Sequence, residues 1–188
     1  MFDTVRKIFR IWSVPLALAI GLSAQAASAQ QAGTLVSADP VVDTPPGQQA
    51  WRIRYATTDA NGAPRVVTGM VVAPREQVPV EGRKVIAWTH GTWGVAERCA
   101  PSLSANFFAA TPALADMVAR GYVVVAPDYP GLGSAMPHPY LVIEDTGRSV
   151  LDAVRAARAI PGAASGTRFA VWGESQGGHA ALATGALA

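Results

Sequence analysis

Gly173-Glu174-Ser175-Gln176-Gly177, with Gly178 directly after it, decides how this chain is read. It fits the G-x-S-x-G pattern of a nucleophile elbow, a tight turn that carries a serine from a strand into a helix. The flanks supply that context. Arg168 to Trp172 is a β-branched and aromatic run that predicts a buried strand, and His179 to Ala188 is rich in the best helix former. In such a turn the serine backbone is strained, so that its hydroxyl stands clear at the end of a sheet. Side chains at 173 or 177 would collide with neighbouring backbone, so glycine is needed at both positions. Ser175 is therefore the candidate nucleophile. The Gln176 amide, next in sequence and at a positive helix end, is a candidate donor to an oxyanion.

Upstream, strand and helix patterns alternate. Trp51 to Thr57 and Val66 to Val72 are strand-like runs separated by Asp59-Ala60-Asn61-Gly62, and Asn-Gly is the strongest short turn signal. They predict an antiparallel hairpin that ends at Pro74. Lys84 to Thr89 is almost wholly apolar and predicts a central strand of a parallel sheet. Thr111-Pro112 predicts the start of a helix, with Thr as cap, running through Leu114, Met117 and Val118 to Gly121. Tyr122 to Pro127 predicts another buried strand. Gly147 to Ile160 predicts a helix with Val150, Leu151, Val154 and Ala157 on one face, ended by Pro161-Gly162.

Two loops at strand ends hold further candidates. His90-Gly91-Thr92-Trp93-Gly94 follows the 84–89 strand, where enzymes of this design take their second oxyanion amide. Thr92 is the expected donor, with Trp93 the next choice, and His90 is expected to be a structural loop histidine. Asp128 follows the 122–127 strand. The triad acid comes after the serine in this arrangement, so Asp128 is expected to be structural as well. Leu103, Phe107, Phe108 and Leu114 crowd the intervening segment and suit either the core or an apolar acyl pocket.

The N-terminus has a targeting character. Arg6, Lys7 and Arg10 precede an apolar run from Ile11 to Leu22 that is short for a bilayer span, and Ala27-Ser28-Ala29 fits an A-x-A cleavage signal. Residues 1–29 are expected to be a signal peptide cut near Ala29, which places the mature chain outside the cytoplasm, secreted or periplasmic. Three of the 15 basic residues and one of the 13 acidic ones fall in this leader, so the remainder is balanced at 12 against 12. The pI near 9.0 is thus mostly a targeting feature, and nothing suggests a nucleic-acid partner. Residues 30–49, with Pro40, Pro45 and Pro46, predict an extended arm or loop ahead of a catalytic portion over 50–188.

Alternating strands and helices, an opening hairpin and a serine at a strand-to-helix elbow define the α/β class. The arrangement is the α/β-hydrolase fold, a mostly parallel sheet with an N-terminal antiparallel hairpin. The resemblance narrows further. Ala87-Trp88-Thr89-His90-Gly91-Thr92, Cys99-Ala100-Pro101-Ser102, Gly121 to Gly133, His138-Pro139-Tyr140-Leu141 and Gly173 to Gly178 together resemble the secretory lipase family over roughly residues 45–188. That resemblance implies hydrolysis of lipid acyl esters by a Ser-His-Asp triad, with no metal or organic cofactor, and a small-molecule or lipid ester as partner, with transient contact at a lipid interface. For Cys99, the sole cysteine, it implies a disulfide to a segment outside this sequence. Only 13 residues follow Ser175, and the single histidine among them, His179, sits on the elbow helix. The triad acid and base are therefore expected beyond Ala188, the chain being an N-terminal portion that is inactive alone. A secreted serine peptidase, a polyester hydrolase and a catalytically dead hydrolase-like chain stay open as alternatives.

Overall fold

The computed structural model describes residues 30–76 and 78–188, so the leader lies outside the described residues. Six strands form one sheet: β1 (Leu35–Val41), β2 (Gln48–Thr58), β3 (Pro64–Pro74), β4 (Arg83–Thr89), β5 (Val123–Pro127) and β6 (Ser165–Gly173). The helices are α1 (Phe107–Ala110), α2 (Leu114–Ala119), α3 (Ile143–Ala157) and α4 (Gln176–Leu187). The strand order is β1-β2-β3-β5-β4-β6. β1, β2, β3 and β5 pair antiparallel in turn, whereas β4 pairs parallel with both β5 and β6.

The hairpin forms where Asn61-Gly62 predicts it. Gly62 takes φ +80°, and the Asp59 carboxylate accepts from the amides of Asn61 and Ala63, both at 2.9 Å. β5 is buried along its whole length, as its unbroken apolar run requires. Its alternate residues face two cores. Val123 and Val125 pack with Tyr55, Val71 and Val85 against Val150, Ala153 and Val154 of α3. Val124 and Ala126 pack with Met70, Val72 and Trp88 against Phe107, Leu114, Met117 and Val118 of α1 and α2. The result is three layers, with α3 and α4 on one face of the sheet and α1 and α2 on the other. β6 borders the sheet, paired with β4 alone among the described residues, so the strand expected to be buried is instead exposed, with Phe169 and Trp172 partly in solvent.

Three local expectations are corrected. The 30–49 stretch is not only a loop, because it contains β1; Pro40 is tolerated there because β1 is an edge strand that needs donors on one side only. Thr111 does not cap a following helix. It ends α1, donating its hydroxyl to Phe107 O at 2.8 Å, and α2 starts two residues beyond Pro112 after Ala113, at φ 51°. The predicted stop at Gly121 does hold. Gly121 N donates to Val118 O and Tyr122 N to Met117 O, with Gly121 at φ +86°, which is a Schellman closure. The third helix begins at Ile143, not Gly147, with Glu144 and Asp145 in its first turn where anions are favoured. Gly147 lies inside that helix because α4 crosses there: a Cβ would meet Leu187 Cδ1 at 2.8 Å and Ala183 O at 2.9 Å.

One buried polar contact ties α3 to the sheet. The Thr57 hydroxyl of β2 donates to Asp152 at 2.7 Å, and Arg155 pairs with the same carboxylate at 2.7 Å. Asp152 is 2 % exposed, while the Arg155 side chain is about half exposed. Asp152→Ala should lower the unfolding free energy by about 1–3 kcal/mol, since it strands a buried hydroxyl. Arg155→Ala should cost less than about 1 kcal/mol, as exposed ion pairs do. Urea unfolding at neutral pH checks the pair; equal losses would show that the Thr57 contact is not the anchor.

Candidate active site

The elbow is built by close packing between β4 and the start of α4. Ser175 sits at φ 56°, ψ −119°, a conformation that holds a non-glycine residue only under surrounding constraint. Thr89, the last residue of β4, supplies much of that constraint. Its hydroxyl lies 3.1 Å from Trp172 O and 2.9 Å from Gly177 O, so its single proton bridges both sides of the turn. A Cβ on Gly173 would come within 2.1 Å of Thr89 Oγ1 and 2.3 Å of Gly177 O. On Gly177 it would come within 1.8 Å of Thr89 O. Gly177 is therefore imposed by the backbone of β4, and Gly173 by the Thr89 hydroxyl together with the first turn of α4. Ser175 itself is exposed.

The serine opens on a cavity of about 280 Å³ whose lining includes Trp88, Thr92, Trp93, Phe107, Glu174 and Ser175. Thr92 thus shares a cavity with Ser175, as does Trp93. The Gln176 N–H, first of α4, has no acceptor within the helix. Among the described residues neither this amide nor that of Thr92 is donated to another protein group. The apolar segment divides. Phe107 and Leu114 are buried in the core, Phe107 also touching the cavity, whereas Leu103 is 54 % exposed.

His90 lines the same cavity with its ring turned inward. Nδ1 is 2.6 Å from Gly91 O and Nε2 is 3.2 Å from Asp128 O, and the ring lies against Tyr129 at 4.3 Å between centroids. Burial pushes its pKa down to about 4, although the two carbonyls pull it upward. Asp128 is equally occupied. Its carboxylate accepts from Ser102 Oγ at 2.5 Å, Ser102 N at 2.9 Å and Thr68 Oγ1 at 2.7 Å, which stitches the end of β5 to β3. Burial raises its pKa, against the pull of these donors. His179 is half-buried on α4, with Nδ1 buried and without a partner among the described residues. No hydrogen bond joins the Ser175 hydroxyl to a histidine among the described residues, nor does any cluster of His, Cys, Asp and Glu there have the make-up of a metal site. Cys99 is a half-buried free thiol below Gly94, where a Cβ would reach Sγ at 2.6 Å.

Two residues to which sequence reasoning gave no role also reach this site. His138 lies 3.0 Å from the Gln176 side chain, and the Tyr140 hydroxyl lies 3.1 Å from Thr92 Oγ1. Their contacts span 38 and 48 positions, so no local spacing could have announced them.

A mixed sheet between helical layers, with a strained serine at a strand-to-helix turn, is the α/β-hydrolase fold. The chain is similar to the secretory lipase family, whose model matches residues 103–188. Lipase 9 of Candida albicans is 28% identical over 142 residues, which covers 69% of this chain and 30% of that protein. Lipase 4 of the same organism is also 28% identical over 142 residues, covering 29% of its length. Among solved structures, the rice cell wall degrading esterase LipA from Xanthomonas oryzae superposes with a TM-score of 0.68 at 26% identity, covering 82% of this chain and 45% of that one. Candida antarctica lipase A in its closed state gives 0.66 at 22% identity, covering 84% and 38%, which is a likeness of fold. The chain therefore spans about 30% of the curated relatives it matches and under half of these solved structures.

Two expectations follow from the elbow and its neighbour. Gly177→Ala should destabilise the protein by about 3 kcal/mol or more, because the clash is with backbone that no rotamer change relieves. Gly178→Ala, whose Cβ would find nothing nearer than 3.9 Å, should instead gain up to about 1 kcal/mol from helix propensity. Thermal denaturation of the two variants separates the cases, and similar melting temperatures would refute the steric account. For His90, the folded state binds its proton more weakly than the unfolded chain, whose histidine titrates near 6.5. The stability that the neutral ring contributes is fully present above pH 6.5. Stability is lost as pH falls from 6.5 towards 4, by about 3 kcal/mol in all. His90→Asn should remove that slope from a pH series of unfolding free energies; an unchanged slope would assign the acid sensitivity elsewhere.

Proposed function

We propose that this chain carries the nucleophile and oxyanion hole of a secreted carboxylic ester hydrolase acting on lipid acyl esters. The observation that carries the reading is the backbone of Ser175, held at φ 56° at the head of α4 and facing a cavity it shares with Thr92. Strain of this kind persists only where neighbours enforce it, and here β4 enforces it on a side chain that gains exposure.

In the proposed reaction Ser175 Oγ attacks the ester carbonyl carbon while a base takes its proton. The oxygen that becomes negative is received by the amides of Gln176 and Thr92, which act on the transition state more than on the bound ester. The tetrahedral adduct collapses, the alcohol departs with a proton from the base, and water then releases the acid from acyl-Ser175. Asp128, His90 and His138 are engaged in structural bonds, and no bond joins the His179 ring to Ser175 among the described residues, so the base and its orienting acid are assigned to polypeptide beyond residue 188. Similarity to a family described as secretory, together with the leader-like residues 1–29, supports export. The names of the relatives, lipases and an esterase, support an ester as substrate.

The test uses the full-length gene product. It should hydrolyse p-nitrophenyl esters and triacylglycerols and be labelled by a fluorophosphonate probe. Ser175→Ala should abolish labelling and reduce turnover by several orders of magnitude, as loss of a nucleophile does. The 188-residue chain alone should hydrolyse esters at close to the uncatalysed rate. Preference for peptide amides would overturn the ester reading, and undiminished turnover in Ser175→Ala would overturn the mechanism.

A further inference from the structure

We propose that His138 and Tyr140 are positioning residues that join the two oxyanion donors into one unit, so that the loop after β5 fixes the distance between the Gln176 and Thr92 amides. The inference rests on the reading of those amides given above.

The geometry fixes the role of each atom. His138 Nδ1 lies 2.7 Å from Pro130 O, and a carbonyl can only accept, so the ring proton is on Nδ1. Nε2 is then an acceptor, and the Gln176 amide donates to it across 3.0 Å. Gln176 is only 3 % exposed and has no other partner for this group, so its rotamer depends on the histidine. The ring is itself held on two sides. Tyr129 lies nearly parallel to it at 6.4 Å, interplanar angle 18°, and Tyr140 meets it edge-on at 5.9 Å. The Tyr140 hydroxyl then pairs with Thr92 Oγ1 at 3.1 Å.

The path from one donor to the other is therefore continuous: Gln176 to His138, His138 to Tyr140, Tyr140 to Thr92. The loop that bears it is folded tightly on itself. Gly131, at φ +83°, lies so close to the 137–138 backbone that a Cβ would meet His138 N and Cα at 2.5 Å. This brings His138 back beneath Pro130 and sets its ring towards α4. The opposite wall of the unit rests on the same loop, because the Tyr129 hydroxyl donates to His90 O at 3.0 Å, next to Gly91 and Thr92.

Such a bridge matters for the reaction and not for holding the ester. An oxyanion hole acts on the charge that develops in the transition state, so a small displacement of one amide lowers kcat and leaves KM nearly unchanged. A role confined to folding would change the amount of active protein and nothing else.

The experiment compares His138→Ala, His138→Gln and Tyr140→Phe in the full-length gene product, normalised to active sites by fluorophosphonate labelling. The measurements are kcat and KM for p-nitrophenyl butyrate, and inhibition by an alkyl boronic acid, which Ser175 converts to a tetrahedral anion occupying the oxyanion hole. His138→Ala should lower kcat by about 10-fold or more, less than the 100-fold or greater loss that follows removal of a whole donor. KM should change little, and boronate affinity should fall in step with kcat. His138→Gln, which keeps an acceptor near the Nε2 position, should recover part of the loss. Tyr140→Phe removes only the link to Thr92 and should lower kcat by about 3-fold, with a matching loss of boronate affinity. If His138→Ala does not fold, Tyr140→Phe decides alone. Unchanged kcat per active site and unchanged boronate affinity in Tyr140→Phe, or a His138→Ala loss that appears in KM alone, would overturn the inference. Turnover that survives Ser175→Ala would instead sink the underlying reading of the site, which keeps the two failures distinct.

Discussion

The contact on which the rest of the site depends is the one between Thr89 and the turn around Ser175. The Thr89 hydroxyl bridges Trp172 O and Gly177 O, and its own carbonyl occupies the space that any side chain at 177 would need. β4 thereby presses the end of β6 and the start of α4 together. The positive φ of Ser175 is the result, and with it comes exposure of the hydroxyl and of the first free amide of α4. A serine in an ordinary strand-to-helix loop would have neither.

That contact is held rigid by packing below it. β4 is central, with parallel partners on both sides, and its neighbour β5 is buried on both faces. Alternate valines of β5 serve opposite cores, so the helices of both layers brace the same few strand residues. The loops at the strand ends inherit this stiffness. Asp128 is held by Ser102 and Thr68, His90 by two carbonyls, and Tyr129 by His90 O. These buried polar groups hold the loops that shape the cavity, and their pKa directions follow from burial, upward for the acid and downward for the base.

β6 shows a different balance. It carries the elbow yet borders the sheet, and its apolar side chains Phe169 and Trp172 stay partly in solvent, with Trp172 lying against Trp88 at 4.7 Å. The elbow is thus determined from the β4 side. This explains how a strand with so much exposed surface can still lead into a serine held at positive φ.

What the sequence determined by itself is what short-range sterics and patterning control. The apolar runs of β4 and β5, the Asn61-Gly62 turn and the helix stop at Gly121 each express a demand made within a few residues, so they were legible, and the glycines at 173 and 177 were legible as a motif although Thr89 of β4 is what crowds them. The tertiary structure alone decided features whose cause lies far along the chain. Gly147 looks like a helix boundary, yet it is an interior glycine because α4 crosses there. Pro40 looks like a loop residue, yet it sits in β1 because the strand is an edge. Thr111 has the chemistry of a cap, but its hydroxyl finds Phe107 O first. His138 and Tyr140 approach Gln176 and Thr92 only because the loop after β5 doubles back at Gly131. Contacts between residues dozens of positions apart depend on strand order and layer packing, which no local pattern encodes.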